Sequence, residues 1–290
     1  MDILDKIGEG KIKGYLTINK RIIFEGAIYH ITQRAPGKEI LFVEEADYLY
    51  FLKILKETIK KFNLDLFCFS LLPNHLHLCL RIKEANLSEA MKNLFERYAD
   101  YFNIKYKRKG HVFCGRFRAS LCNDENYLLA ISVYIHLNPY KAGLCRVPED
   151  YRWGSLKLYT GAFKKTFVNF EEILSFLDPQ LDKAKEKYSE ILEESAKIKV
   201  DKLLDNSSVK KFIREVVRIE KKITGKREGE EEDLDKLIED FKLMKKKKNL
   251  DRRARKYLVE QLLANGYAVK EILGLLSIGR TTFYQIMHSS

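Results

Sequence analysis

The chain has 290 residues, enough to bury a core in one main domain with a smaller one beside it. Its residues are 46% hydrophobic, yet no apolar run reaches the length of about 18 that a membrane-spanning helix needs. The first residues carry no signal-peptide pattern, and 53 Lys and Arg against 41 Asp and Glu give a net charge of +12. Such a surplus points to a polyanionic partner, nucleic acid first, or to no more than a basic solvated surface. The five cysteines, Cys68, Cys79, Cys114, Cys122 and Cys145, show no Cys-x-x-Cys spacing. They read as reduced cytosolic thiols and argue against a structural zinc site.

In chain order, residues 1–20 read as a lead-in. Residues 26–34 alternate and are rich in β-formers, giving a first strand, and Ala35-Pro36-Gly37-Lys38 turns the chain. Over residues 44–62, Tyr48, Phe51, Leu52, Leu55 and Ile59 recur at helical spacing. Residues 64–72 and 75–82 are strands, and the short Pro73-Asn74 connection makes them an antiparallel hairpin. Within the second of them His75 and His77 share a face, while Leu76, Leu78 and Leu80 take the other. Two imidazoles side by side are half of a metal site, although a His-x-His pair is also commonplace in strands.

Residues 87–106 form a second amphipathic helix through Met91, Leu94, Tyr98, Tyr101 and Phe102. Residues 110–120 read as a bent basic strand or loop, in which Arg116 and Arg118 flank Phe117 in a pattern suited to phosphates and stacked bases. Asn123 or Asp124 caps a further helix carrying Tyr127, Leu128, Ile131, Tyr134 and Ile135, and Asn138-Pro139 is expected to close it. The resulting order of strand, helix, strand, strand, helix, strand, helix predicts an α+β fold with a ferredoxin-like antiparallel sheet. Trp153 packs the end of that domain. Residues 166–250 read as a charged helical linker region, with single-sign blocks at 226–233 and 245–248. Residues 251–290 return to a compact all-helical pattern, in which a short helix, the turn Ser277-Ile278-Gly279 and a helix from Arg280 fit a helix-turn-helix. Arg280, Thr281, Thr282, Tyr284 and Gln285 would then face DNA over a core of Ile272, Leu275, Ile278, Phe283 and Ile286; a small bundle for protein contacts is the alternative.

A metal on His75 and His77 needs a third ligand and open positions for substrate. Tyr134 and Asn138 stand at i and i+4 and so share a helix face. If that face covers the histidines, the Asn138 amide oxygen reaches the metal and the Tyr134 phenol becomes a nucleophile toward phosphorus. Equally, Tyr134 could be core and Asn138 a helix cap.

Pro73-Asn74-His75-Leu76-His77-Leu78, Gly115-Arg116-Phe117-Arg118 and the run from Tyr134 through Asn138-Pro139-Tyr140-Lys141-Ala142-Gly143 occur in an order and spacing that resembles the IS200-like, single-tyrosine HUH transposases. The branch associated with repetitive extragenic palindromes is the nearest in pattern. Tyr29-His30-Ile31-Thr32-Gln33-Arg34 and Tyr151-Arg152-Trp153 are similar to it too, so the resemblance spans roughly residues 20–160, within an expected endonuclease domain at 21–165. It implies a ferredoxin-like HUH endonuclease that binds Mg²⁺ or Mn²⁺ through His75, His77 and Asn138. Tyr134 is the implied nucleophile, attacking hairpin-forming single-stranded DNA to leave a 5′-phosphotyrosine and a 3′-OH. Gln33, Arg34, Lys38, Arg116, Arg118 and Lys141 are further DNA-contact candidates. Two departures bear on DNA contacts: Ala35-Pro36-Gly37 stands where a glycine is usual, and Lys141 replaces a typical arginine and loses its bidentate fork. The implied setting is cytoplasmic and nucleoid-associated, with no membrane partner and with homodimerisation left open. Two rivals are a non-catalytic or domesticated DNA-binding regulator and a hydrolase using metal-bound water.

Overall fold

Four strands form, β1 (Ile28–Arg34), β2 (Leu64–Leu72), β3 (His75–Ile82) and β4 (Arg118–Cys122), of which β2 is an almost continuous buried apolar run. The computed structural model describes residues 23–37, 39–122, 125–161, 166–199, 206–225, 259, 262 and 269–287. The lead-in at 1–20, Lys38, the capping pair Asn123 and Asp124 and both single-sign charge blocks therefore lie outside the described residues. All strand pairings are antiparallel, in the order β2-β3-β1-β4. With α1 (Glu45–Lys61) between β1 and β2, and α2 (Leu87–Lys105) between β3 and β4, this is the ferredoxin-like arrangement expected of the sequence. The two-residue connection Pro73-Asn74 fixes the hairpin register, setting Leu72 opposite His75 and Ser70 opposite His77. The Pro73 carbonyl accepts from Leu41 N–H at 2.6 Å and the Asn74 carbonyl from Ala35 N–H at 2.9 Å, which anchors the histidine end of the hairpin.

One carboxylate joins the first two helices. Asp47, fully buried, accepts from the N–H groups of Val43 and Glu44, closing a capping box on α1. From α2 and its end, Tyr101 Oη, Lys105 Nζ and Tyr106 Oη donate to the same carboxylate. Burial pushes its pKa up, but these donors outweigh burial and hold it below the usual range.

On the histidine face of the sheet lies α3 (Glu125–Lys141), buried without interruption from Leu128 to Pro139. Pro139 does not close this helix, contrary to the sequence expectation. It costs one N–H, and the burial of its flanks outweighs that loss. The helix ends in a Schellman turn at Gly143, whose φ is 72°: Leu144 N–H reaches Pro139 O at 2.9 Å and Gly143 N–H reaches Tyr140 O at 3.0 Å. Asn138 thus stays helical, one turn beyond Tyr134.

Short helices α4 (Leu156–Thr160) and α5 (Phe170–Ser175) follow, then α6 (Leu181–Ala196) and α7 (Asn206–Thr224). The stretch read as a charged linker region places these two long helices against α3. Ala184, Tyr188, Ile191, Leu192 and Ser195 are buried on α6 at helical spacing, and Phe212, Ile213 and Val216 on α7. Tyr188 Oη joins Ser132 Oγ at 2.9 Å and His136 Nδ1 at 2.7 Å, and His136 Nε2 joins Ser155 Oγ at 2.8 Å. Residues 151–155 run along β2, with Leu71 N–H donating to Trp153 O, so the edge strand is covered. Trp153 stacks on Tyr48 at 4.3 Å.

Residues 1–225 form one compact unit and 226–290 another. In the second, α8 (Val269–Leu276) and α9 (Arg280–Met287) pack around Ile272, Leu276, Phe283 and Ile286 together with Val259 and Leu262. Ser277, at φ 50°, takes the left-handed position of another Schellman turn, with Ile278 N–H on Leu273 O at 3.1 Å. No helix among the described residues is long and apolar enough to cross a membrane.

Candidate active site

β3 brings two imidazoles to one face of the sheet, and α3 lays a tyrosine and an amide across them. His75, His77, Tyr134 and Asn138 are 6%, 1%, 2% and 0% exposed. The Tyr134 ring meets His77 edge-on at 5.7 Å and His30 at 5.9 Å. The Asn138 side chain acts on both imidazoles and on the Tyr134 hydroxyl, and its Nδ2 donates to Tyr134 O at 3.3 Å. All four side chains come from one chain, so the histidine face and the tyrosine helix meet without a second subunit.

Three atoms here are buried with no hydrogen-bond partner: His75 Nε2, His77 Nε2 and Asn138 Oδ1. A buried polar atom left unpaired costs about 1–3 kcal/mol. The Asn138 side chain lies within interaction reach of both imidazoles, and two imidazole nitrogens with an amide oxygen are donor types that fit a divalent metal. Among the described residues no three His, Cys, Asp or Glu side chains converge to hold a metal, so a third protein ligand at this point has to be of another type, as an amide is.

Burial lowers the His75 pKa to about 4, against an upward pull from Asn138. It lowers His30 to about 4 as well. His77 falls well below its ordinary value through burial, with His30 and His75 adding to the effect. Near neutral pH these rings are uncharged and keep a lone pair for a ligand. Burial pushes Tyr134 up to about 12, with Asn138 pulling down, so the phenol is protonated at rest.

The outer polar groups divide. Arg34, Arg116 and Arg118 are exposed, and the register sets Arg34 opposite His75 and Arg118 opposite Thr32, which itself pairs with His77. Gln33 is buried and spans the strand to the loop, donating to Gly115 O at 3.2 Å and accepting from Arg34 N–H at 3.1 Å. Phe117 is 9% exposed and packs toward Phe95, so it is not available to stack bases. Lys141 donates to Ala196 O and Ile198 O, closing the end of α6. In the second unit Arg280, Thr281, Tyr284 and Gln285 are exposed and line a shallow open depression, with Thr282 partly buried beside them.

His30 and Thr32 were missed as site members by sequence reasoning, except as part of a motif. Their signal is the alternation of β1, which sets them on one face, but only the β1–β3 register tells which residues they meet.

Residues 24–138 match the family model described as "Transposase IS200 like". No curated protein matches the chain. Among solved structures, one described as "Structure of the REP associates tyrosine transposase bound to a REP hairpin" is 14% identical, with a TM-score of 0.42 over 48% of this chain and 82% of its own. Residues 24–138, about two-fifths of the chain, are thus similar to the IS200-like transposases.

Proposed function

We propose that this protein is a metal-dependent transesterase that cleaves and rejoins single-stranded, hairpin-forming DNA through a tyrosine. The observation that carries it is that Asn138 interacts with His75, His77 and the phenol of Tyr134 while both imidazole Nε2 atoms and the amide Oδ1 are buried and unpaired. His75, His77 and Asn138 would hold Mg²⁺ or Mn²⁺. Bound there, the cation supplies charge withdrawal from the scissile phosphate and fixes its orientation.

Tyr134 Oη attacks phosphorus as its proton leaves, and the bond from phosphorus to the 3′ oxygen breaks. The products are a 5′-phosphotyrosine and a strand ending in 3′-OH, the proton being restored to that oxygen. The new ester conserves the energy of the old one, so the 3′-OH can reverse the step and join strands without a nucleotide cofactor. The Asn138 amide favours the phenolate against the cost of burial. Arg34, Arg116 and Arg118 would guide the backbone of the entering strand. The second unit would act as a helix-turn-helix on duplex DNA, supported by the exposed row Arg280, Thr281, Tyr284 and Gln285 on α9.

The polarity of the products tests this. Incubation with an end-labelled single-stranded hairpin and Mn²⁺ should free a fragment whose 3′-OH a polymerase extends, with the other fragment on protein. Cleavage that leaves no DNA on protein would replace this proposal with hydrolysis by water.

A further inference from the structure

The two nitrogens of His77 have different surroundings. Nε2 is one of the unpaired atoms facing the proposed cation position. Nδ1 lies 2.9 Å from His30 Nε2, and Thr32 Oγ1 stands 3.3 Å from each of those two nitrogens. The two imidazoles stack with centroids 5.1 Å apart and planes 20° from parallel.

A neutral imidazole carries one proton, on one nitrogen or the other. One N–H sits between His30 and His77. If His30 Nε2 carries it, His77 accepts on Nδ1 and its own proton lies on Nε2, where a cation ligand must be bare. If His77 Nδ1 carries it, His30 Nε2 accepts and His77 Nε2 is a free lone pair. Only the second arrangement makes a ligand. His75 has the same device with a different partner: its Nδ1 lies 2.6 Å from Asn74 Oδ1, which can only accept, so the proton stays on Nδ1 and Nε2 is bare.

We infer that His30 is a positioning residue that accepts from His77 Nδ1–H, fixes that tautomer and aims His77 Nε2 at the cation, with Thr32 Oγ1 completing the contact. This rests on the reading of His75, His77 and Asn138 as a divalent-cation site. A purely packing role for His30 is separable from it. His30→Phe keeps the stacked ring and loses the acceptor, whereas His30→Gln loses the ring and restores an acceptor near the same point.

The test uses the full chain and Mn²⁺ alone. Free Mn²⁺ is titrated by electron paramagnetic resonance, and the His77 tautomer is read from long-range nitrogen–proton NMR correlations without metal. The expected result is an Nδ1–H form of His77 in the wild type and a dissociation constant raised about 10–100-fold in His30→Phe. His30→Gln should return to within about threefold of wild type. Unchanged Mn²⁺ affinity in folded His30→Phe, or a folded His30→Gln no better than phenylalanine, overturns the inference. If the wild type binds no Mn²⁺, the cation-site reading fails and the aiming of Nε2 at a cation fails with it, and the metal-free spectrum decides the tautomer alone: an Nε2–H His77 overturns the acceptor role of His30, and an Nδ1–H His77 upholds that acceptor role.

Discussion

Asn138 states the site's economy at the scale of one residue. Its Oδ1 is buried without a partner, which costs stability and which the proposed cation would offset. Replacing it with leucine, of similar volume, should leave stability within about 1 kcal/mol of wild type. The same change should reduce Mn²⁺ affinity and covalent adduct to background; chemical denaturation beside an adduct assay checks both. His136 behaves differently, since both its nitrogens are satisfied by Tyr188 and Ser155. Burial lowers its pKa to about 3 from an ordinary 6.5. Its neutral form is the folded one, so the unfolded chain takes up the proton first. Its contribution is therefore complete above pH 6.5 and is lost as pH falls through the window down to about 3. Each unit of that depression is worth about 1.4 kcal/mol. Urea midpoints should fall between pH 7 and pH 4, and His136→Gln should keep only the slope left by groups such as His30. The pair His75 and His77 was legible because a strand puts i and i+2 on one face. His30 was not, since it reaches His77 only through a register that joins residues 47 apart in sequence.

At the scale of elements, α3 carries both the proposed nucleophile and much of the packing, which is why sequence left Tyr134 ambiguous between nucleophile and core. It is buried on every side because the sheet lies on one flank and α6 and α7 on the others. The region was read as helical, but the packing of those two helices was hidden by composition: the charges of residues 181–224 dominate the count, whereas their apolar stripe is what packs. Lys141 shows the same limit, since charge alone does not tell a phosphate contact from a helix cap. The ring of Phe212 on α7 meets Tyr134 edge-on at 5.7 Å, and Tyr134 is 2% exposed. A DNA strand reaching the phenol has to displace part of this cover. Val216→Ala, one turn further along α7, should cost about 1–2 kcal/mol of stability and yet speed the first turnover of adduct formation. A rate that falls with stability would mean that α7 supports the site rather than covers it.

At the scale of the molecule, a basic chain of two compact units is proposed to meet a polyanion in two ways. The order of elements was legible, because hairpin, helices and strands each follow a short-range pattern. Which charges face outward was less so. Arg280 is exposed at the start of α9, and Arg280→Ala should weaken duplex binding and lower the salt-dependence slope by about 1. Adduct formation on a single-stranded oligonucleotide should be unchanged, because the tyrosine and its proposed ligands belong to residues 1–225. Anisotropy titrations at several salt concentrations, run beside the adduct assay, separate the two units.

The most direct measurement is the identity of the residue bonded to DNA. Wild-type protein and Tyr134→Phe would each be incubated with Mn²⁺ and a single-stranded hairpin, digested, and the nucleotide-bearing peptide sequenced by mass spectrometry. The expected result is one modified peptide, carrying the phosphate on Tyr134, and no adduct in the phenylalanine variant despite retained DNA binding. An adduct that persists in Tyr134→Phe, or maps to another residue, would contradict the central claim.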